Sequence, residues 1–320
     1  MSETTVKRAK SSAFSKRNRR KVIFYSIFIS IPILHFVIFY LYVNFNSIIM
    51  AFRGYEIDFL GTIHSKFAKF DNFKKASDVL FNDPNNRLLN SFIFLLVALC
   101  ISTPLAVTFS FYIYKKRFGN GFFRIMLFLP QILSTVIMGI IYKNLTNFAY
   151  FGVMEKIFHI KPKASLLEDI DTRMITIIVF NVIMSFGVNV LTFTSTMSGI
   201  NDSLIESAQL DGATPTQELI HIVLPLIYPT LTTLIIVSIS YTFVEQAHIF
   251  TLIGPYEPAT GSTIGYFLYL EVKYGDLIST SGIHLTYPVL SAIGLILTLI
   301  ILPITLVARY SFKKFGPKVD

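Results

Sequence analysis

Two clusters of polar side chains interrupt long apolar stretches of this sequence, and their spacing suggests hydrogen-bonding chemistry. Asn181, Ser185 and Asn189 recur every four residues, which would place three hydrogen-bonding groups on one face of a helix. Polar side chains are costly in an apolar environment unless they face a cavity or one another. Both clusters are therefore candidates for the path of a polar solute, and the alternative is packing between helices. The second cluster, in a later stretch, comprises Tyr241, Glu245, Gln246 and His248.

Motifs for catalysis, metal binding and nucleotide hydrolysis are missing from the sequence. It contains no G-x-x-x-x-G-K-[ST] phosphate-binding loop and no H-E-x-x-H pair, and its six histidines are scattered. Its one cysteine, Cys100, has no partner for a disulfide within the chain. We therefore expect no catalytic residue, no metal ligand and no cofactor bound by this chain. If the protein uses ATP, a separate subunit must hydrolyse it.

The elements that must position the polar clusters are long apolar helices. Of the 320 residues, 53% are hydrophobic and 15% are charged, and the mean hydropathy is +0.60. The apolar residues come in unbroken runs near the roughly 20 residues that an α-helix needs to cross a bilayer. The runs do not alternate in polarity as the strands of a membrane β-barrel do. We predict an all-α integral membrane protein with six transmembrane helices, at residues 22–43, 88–114, 125–142, 174–197, 227–250 and 287–308.

The distribution of charge predicts the orientation of these helices. The side that would hold both termini carries 16 Lys and Arg against six acidic residues, and the other side carries 12 against 13. Basic residues beside span ends stay in the cytoplasm, so we expect both termini there. The net charge of +9 then reflects topology and attraction to membrane lipid, not binding to nucleic acid. The expected order is a basic cytoplasmic tail (1–21), a first transmembrane helix with an extracytoplasmic loop (22–87), a five-helix core (88–308) and a cytoplasmic tail (309–320).

Residues 198–226, here called the acidic loop, depart from this charge pattern. The loop has four acidic residues and no Lys or Arg. Ser203 followed by Glu206 has the spacing of a capping box, and residues 214–217 (TPTQ) have the features of a second helix start. Gly212 between them suits the left-handed end of a helix. We expect two short helices joined at Gly212, with an apolar, small-residue face that a partner protein covers.

The acidic loop resembles the EAA motif of the permease subunits of bacterial binding-protein-dependent ABC importers. The family has alanine where this chain has Ser207, and Asp211 and Ala213 are features of its carbohydrate-importer branch. The matching residues are Glu206-Ser207-Ala208, then Gly212, Ile222 and Leu224-Pro225. The chain is also similar to the first of the two permeases of maltose- and multiple-sugar-type systems in four other stretches: FDNFKKA, LLNSFIFLLV, FFRIMLFLPQILSTV and IFTLIGP.

This resemblance implies a fold, a set of partners and a cargo. The fold is that of type I ABC importer permeases, with a five-helix core, one additional N-terminal helix and a cytoplasmic coupling helix, in the bacterial plasma membrane. The partners are a second homologous permease forming a heterodimer, two ATP-binding-cassette ATPase subunits that hold ATP and Mg²⁺, and an extracytoplasmic solute-binding protein. The cargo would be a carbohydrate, carried by alternating access. The segment docking on the ATPase would contain Ser203, Glu206, Ser207, Ala208, Asp211, Gly212, Ala213, Leu224 and Pro225.

Three other interpretations stay open on the sequence. The same class of permease could carry a peptide, an amino acid or a glycerol-phosphate diester. An ion-coupled secondary transporter would usually have internal repeats and broken helices at the midplane, and the sequence has no such repeat. An integral-membrane enzyme would need convergent acids or a nucleophile near one membrane face. A heterodimer is favoured because one chain of six spans encloses little space for an oligosaccharide and offers one docking loop for two ATPases.

Overall fold

The chain folds into two compact units, Met1–Asn72 and Phe73–Asp320. The computed structural model describes residues 3–57, 63–246, 248–256, 258, 260–275 and 286–317. Within these ranges the regular structure is α-helical, interrupted by short π-helical turns, and a hairpin of two strands is the only sheet. The predicted all-α class is confirmed.

The first unit is a long helix followed by the hairpin. Its segment Arg19–Ala51 is long and apolar enough to cross a membrane, and the side chains along it are largely exposed, as on a helix that faces lipid. The helix begins at Glu3, so the backbone of the basic tail is helical from there. The elements are α1 (Glu3–His35), a π-helical stretch (Phe36–Tyr42), α2 (Val43–Ala51), β1 (Arg53–Ile57) and β2 (Ile63–Phe67). The strands are antiparallel, with Arg53 opposite Phe67.

The second unit is a bundle of helices that includes the acidic loop. Its elements, with the helix that begins just before the unit, are α3 (Asp71–Phe81), α4 (Arg87–Val97), α5 (Thr103–Tyr114), α6 (Asn120–Ile132), α7 (Thr135–Asn144), α8 (Tyr150–Lys156), α9 (Ile170–Met197), α10 (Asp202–Leu210), α11 (Pro215–Glu218), α12 (Leu224–Tyr241), α13 (Ile249–Ile253), α14 (Ile264–Tyr274) and α15 (Tyr287–Phe315). Single π-helical turns at Ala98–Ser102, Leu145–Ala149 and Leu219–Val223 join α4 to α5, α7 to α8 and α11 to α12.

Four of the six predicted spans correspond to long apolar helices, one in the first unit and three in the second. Among the described residues, the helices able to cross a membrane number five, or six if one bent pair is a single span. The first, second, fourth and sixth spans are Arg19–Ala51, Arg87–Tyr114, Ile170–Met197 and Tyr287–Phe315. Their limits lie within eight residues of the predicted ones, and the first and sixth helices continue beyond the apolar runs, to Ala51 and Phe315.

The third span is not the straight helix that was predicted. Residues 125–142 fall on α6 and α7, whose axes differ by 105°. The break follows Pro130: Leu133 is extended, and Ser134 caps the next helix by accepting a hydrogen bond from the Ile137 backbone N–H at 3.3 Å. A proline removes a helical hydrogen bond and a capping serine starts a new helix, so the chain turns between the two residues.

The fifth span also differs from the prediction. One continuous helix runs from Pro215 to Tyr241, so the second short helix expected in the acidic loop is the first turn of this span. The π-helical turn at Leu219–Val223 lies just before Pro225 and changes the hydrogen-bond register where proline has no N–H to donate. The helix ends at Tyr241 and not near Phe250, although two of the next three residues, Phe243 and Val244, are apolar.

Two buried apolar clusters hold the second unit together. The first joins α5, α9, the acidic loop and the fifth span, and contains Phe111, Ile113, Val190, Phe193, Met197, Ile205, Val223 and Ile227. The second lies at the other ends of α4 and α9 and includes Phe94, Phe180, Met184, Ile249, Tyr266 and Leu270. Close approach of α6 to α9 requires Gly187, because a Cβ atom there would collide with the Leu127 carbonyl oxygen.

The start of the fifth span meets the end of the sixth. The Tyr228 hydroxyl donates a hydrogen bond to the Phe312 carbonyl oxygen at 3.1 Å. The acidic loop and the end of α15 therefore lie at the same end of the bundle, which agrees with the predicted side for the C-terminus.

Candidate functional site: an exposed acidic loop and a polar cleft

The first helix of the acidic loop begins earlier than the sequence pattern indicated. Asn201 is the N-cap of α10, and its side-chain oxygen accepts a hydrogen bond from the Ser203 backbone N–H at 3.1 Å. The capping box predicted for Ser203 and Glu206 is therefore wrong. Asparagine is as good an N-cap as serine, and it lies two residues nearer to the end of the fourth span.

The turn at Gly212 has the geometry that the sequence predicted. Gly212 is left-handed with φ +83°, and the Ala213 and Gly212 backbone N–H groups donate to the carbonyl oxygens of Ala208 and Gln209 at 2.9 and 3.1 Å. These two bonds form a Schellman motif, which ends the helix and satisfies its last carbonyls. The following capping box is also confirmed, because Thr214 and Gln217 each bond the other's backbone N–H.

The tip of the acidic loop presents both apolar and acidic side chains to the outside. Leu210 is 89% exposed and Leu204 is half exposed. Ile205, in contrast, is buried in the first apolar cluster, so part of the face expected to need a partner is covered by this chain. Leu224 and Pro225 lie within the fifth-span helix and are half-buried, away from the tip. Exposed members of the predicted docking set are Ser203, Glu206, Ser207, Asp211 and Gly212, while Ala208 and Ala213 are half-buried.

A cleft of about 490 Å³ lies between the second, fourth and fifth spans, with polar side chains set among apolar ones, and is here called the polar cleft. Six of the seven predicted pathway residues line it. The fourth span contributes Asn181, Ser185 and Asn189, and Tyr241, Glu245 and His248 come from the end of the fifth span and the turn after it. These six side chains therefore face one cleft as predicted, although Glu245 and His248 lie beyond the end of the fifth-span helix. The Glu245 backbone N–H still bonds the Tyr241 carbonyl at 2.9 Å, which keeps the two one turn apart.

Gln246 is the predicted pathway residue that does not line the cleft. Its side-chain oxygen is buried and, among the described residues, has no hydrogen-bond partner. The prediction placed it on a continuous helix, but the backbone leaves the helix after Tyr241 and directs Gln246 elsewhere.

Amide and hydroxyl groups in the cleft are available to a solute. Among the described residues, the Asn181 and Asn189 amides form no hydrogen bond, and the Ser185 hydroxyl donates only to the Val182 carbonyl oxygen, at 3.3 Å. The aromatic ring of Tyr241 and the half-buried amides on the fourth span thus combine a flat apolar surface with hydrogen-bonding groups.

The second span supplies a wall of the cleft that the sequence interpretation missed. Ser91, Ser102 and Thr103 line it, together with Thr263 from the segment before α14. This segment is tied to the second span: the Asn90 amide donates to the Ser262 carbonyl oxygen at 2.9 Å, and the Ile264 N–H donates to the Ser91 hydroxyl at 3.0 Å. The sequence feature that could have indicated this wall is the set of hydroxyl residues in the otherwise apolar run SFIFLLVALCIST.

The cleft contains one carboxylate and, among the described residues that line it, no Lys or Arg. His248 lies past the end of the fifth span, and burial lowers its pKa, an effect that the nearby Glu245 carboxylate opposes in part. A neutral imidazole can both donate and accept a hydrogen bond. The lining thus suits a neutral polar solute better than an anionic one.

Two charged residues outside the predicted set form a buried ion pair at the acidic loop. The Lys115 Nζ lies 2.8 Å from the Glu218 carboxylate. The sequence interpretation used both residues only to count charge by membrane side. Elsewhere in the part of the chain that the structure describes, no group of three His, Cys, Asp or Glu side chains could hold a metal ion.

The long apolar helices, the cleft between three of them and the exposed loop define a multi-pass membrane protein built to move a solute. The chain belongs to the family described as binding-protein-dependent transport system inner membrane component, which matches residues 85–320.

Two relatives illustrate the range of similarity. The chain is 32% identical over 159 residues to the probable ABC transporter permease protein MG188 of Mycoplasma genitalium. This alignment covers 47% of this chain and about half (48%) of that protein. It is 26% identical over 327 residues to the arabinooligosaccharides transport system permease protein AraP of Halalkalibacterium halodurans, covering 96% of this chain and 94% of the relative.

The fold is shared with a solved transporter. A chain in the crystal structure of a bacterial ABC transporter involved in the import of the acidic polysaccharide alginate superposes with a TM-score of 0.73 at 21% identity, covering 94% of this chain and 99% of that chain. This similarity shows the type I ABC importer permease fold. The predicted fold is confirmed, including an N-terminal helix ahead of the core.

Proposed function

We propose that this chain is a permease subunit of an ATP-driven importer and that its cargo is a neutral, hydroxyl-rich solute, namely an oligosaccharide. The observation that supports the cargo is the polar cleft. Its amides and hydroxyls can exchange hydrogen bonds with sugar hydroxyls, and the faces of Tyr241 and Phe94 can pack against the C–H surface of a sugar ring. AraP, which aligns with almost the whole chain, carries an oligosaccharide in its name.

An anionic cargo fits the cleft less well. A phosphate or carboxylate group leaving water needs a cation or several donors to compensate for lost hydration. The described lining has the Glu245 carboxylate and no Lys or Arg. An acidic saccharide or a glycerol phosphate would meet repulsion from Glu245 on this chain's share of the path.

The acidic loop is the proposed site of contact with the motor. Two ATP-binding-cassette subunits would hold ATP and Mg²⁺, one docking on this loop and the other on a second, homologous permease. An extracytoplasmic solute-binding protein would deliver the cargo to the opposite end of the bundle. Both termini of this chain would then be cytoplasmic. A short helix ended by a Schellman turn and followed by a capping box suits this role, because its backbone groups are satisfied and it transmits a push without unwinding.

The test is solute uptake by cells of the native host with and without this gene. We expect deletion to abolish uptake of a labelled neutral oligosaccharide such as maltotriose or arabinotriose, and a plasmid copy to restore it. Uptake of labelled alginate trisaccharide, glycerol 3-phosphate and a tripeptide should not change.

A second measurement tests the partners separately from the cargo. The tagged chain, solubilised in mild detergent, should copurify with a second permease and two copies of an ATPase. If the complex forms but deletion removes glycerol 3-phosphate or alginate uptake and leaves neutral oligosaccharides unaffected, the cargo assignment is wrong. If no ATPase copurifies, and a bifunctional maleimide attached to Leu210→Cys in a Cys100→Ser background captures none, the importer assignment is wrong.

A further inference from the structure

A single carboxylate connects three elements around the acidic loop. Lys115 directly follows the second span, and its Nζ donates to Glu218 Oε1 and Oε2 at 2.8 and 2.9 Å. Glu218 belongs to α11, at the start of the fifth span. On α10, the Gln209 side-chain amide donates to Glu218 Oε2 at 3.5 Å. The carboxylate therefore contacts both arms of the acidic loop and the end of the second span.

Burial makes this pair resistant to separation. Glu218 is 1% exposed, and 15% of the Lys115 side chain is exposed. Breaking a buried pair leaves a charge that neither water nor another group compensates, whereas an exposed pair exchanges freely with water. The Lys161–Glu155 pair on the surface, at 3.3 Å with both side chains mostly exposed, shows the contrast.

Apolar packing and a buried hydrogen bond hold the second span to the fourth, where the Ser110 hydroxyl donates to the Val190 carbonyl oxygen at 2.9 Å. Ile113, Ile205 and Val223 share the first apolar cluster, so the second span, α10 and the fifth span are in contact there. These apolar contacts are non-directional and do not set the distance between particular polar atoms. The two-point hydrogen bonding of Lys115 to Glu218 adds a fixed distance and direction.

The acidic loop is continuous in sequence with the fourth and fifth spans but not with the second span. The acidic loop continues directly into the fourth span at one end and into the fifth span at the other, so displacement of the loop moves both. Lys115, the residue after the second span, is 103 residues away in sequence from Glu218, and the second span supplies Ser91, Ser102 and Thr103 to the polar cleft. The Ser110–Val190 hydrogen bond joins it to the fourth span, and among the described residues the Lys115–Glu218 pair is the ion pair that joins it to the acidic loop.

We propose that the Lys115–Glu218 pair is a clamp that makes the second span move together with the acidic loop, so that all three walls of the cleft respond to ATP. Lys115 and Glu218 are then positioning residues for transport. This inference rests on the proposed function, since an ATPase is what would displace the loop.

The test measures each wall of the cleft separately in the intact complex. Single cysteines replace Thr103 on the second span or Asn189 on the fourth span, in a Cys100→Ser background, and their reaction rates with a maleimide are compared without nucleotide and with ATP and vanadate. In the otherwise unchanged chain both rates should change with ATP. With Lys115→Glu, Glu218→Lys or Glu218→Gln, the ATP-dependent change at Thr103→Cys should shrink roughly threefold or more, because the second span no longer follows the loop. The change at Asn189→Cys should persist, which also shows that the variants are folded.

Matched variants make the result specific to the pair. Arg117→Glu alters the same charge at an exposed position two residues from Lys115 and should leave both rates unaffected. The double variant Lys115→Glu/Glu218→Lys recreates the pair in reverse and should recover the response at Thr103→Cys. The clamp is excluded if the single variants retain that response or the double variant fails to recover it. If neither cysteine responds to ATP in the unchanged chain, the proposed function fails instead.

Discussion

At the scale of single residues, the strongest demand on residue type lies at Gly212. Its φ of +83° is left-handed, and open space surrounds the position of a Cβ atom, so the restriction comes from the backbone and not from a collision. Gly212→Val should raise the energy of the turn by about 1–2 kcal/mol and loosen the end of α10. We expect less uptake for each ATP hydrolysed, with normal insertion. Uptake by cells and ATP hydrolysis by the purified complex would measure the ratio.

Gly212→Asn provides the control for this change. Asparagine adds a side chain but tolerates the left-handed region, so coupling should stay close to that of the unchanged chain. Equal transport by the Val and Asn variants would show that the turn is not part of energy transfer.

The unbonded amide of Asn189 gives a second prediction for one residue. Asn189→Leu keeps the size of the side chain and removes its donors and acceptor from the cleft. Loss of one solute hydrogen bond of about 0.5–1.5 kcal/mol should lower uptake roughly threefold to tenfold, while the complex still assembles. Val188→Leu changes an apolar residue of the same cleft and should have little effect on uptake. A similar loss in both variants would point to packing as the role of the stripe.

Local residue patterns predicted some of this site and not the rest. Thr214 and Gln217 formed the expected capping box, since its geometry depends only on four consecutive residues. The cap at Ser203 failed because Asn201, equally suitable, lay two residues earlier. The Lys115–Glu218 pair depends on how distant helices pack: Lys115 alone was counted as a topology signal, and Glu218 as one of the four acidic residues of the loop.

At the scale of elements, apolar runs predicted the helices but not their bends. An apolar run indicates that a segment is buried in lipid or protein, but it does not indicate the direction of the helix axis. Both α6 and α7 are apolar, yet their axes differ by 105°. The fifth span ended early for a similar reason: residues 242–244 are still mostly apolar, yet they turn so that Glu245 reaches the cleft. The end at Gly212 and the start at Thr214 were predictable, whereas the cap at Ser134 and the early end of the fifth span were not.

The contact between α6 and α9 provides the prediction for this scale. Gly187→Val would put a Cβ against the Leu127 carbonyl oxygen and force the helices apart, at a cost of about 1–3 kcal/mol. We expect a lower midpoint in thermal unfolding of the purified protein in detergent, followed by circular dichroism. Gly294→Val makes the same change on α15, where no atom lies within 4 Å of the new Cβ. It should lower the midpoint much less, and equal shifts would mean that helix propensity dominates.

At the scale of the whole second unit, its two functional parts lie at different ends of the same helices. The second and fourth spans carry cleft residues in their first two thirds and end at the acidic loop and its ion pair. Helices of this length change shape little, so a displacement at the loop reaches the cleft as a rigid movement of the walls. Under the proposed function, this separation would let the lining differ from one cargo to another while the acidic loop keeps the surface that contacts the ATPase.

The predicted orientation of this unit follows from the same arrangement. Leu210, on the acidic loop, and Lys314, near the end of α15, should face the cytoplasm, and Tyr256, in the segment after the fifth span, should face outside. Leu210 and Tyr256 are both well exposed, so access to reagent depends on membrane side. In a Cys100→Ser background, a membrane-impermeant maleimide added to intact cells should label Tyr256→Cys and should not label Leu210→Cys or Lys314→Cys. After lysis, all three cysteines should react.

We expect this result because the excess of Lys and Arg lies on the side of the termini. Labelling of Leu210→Cys in intact cells would instead place the acidic loop on the outside, where no cytoplasmic ATPase could reach it.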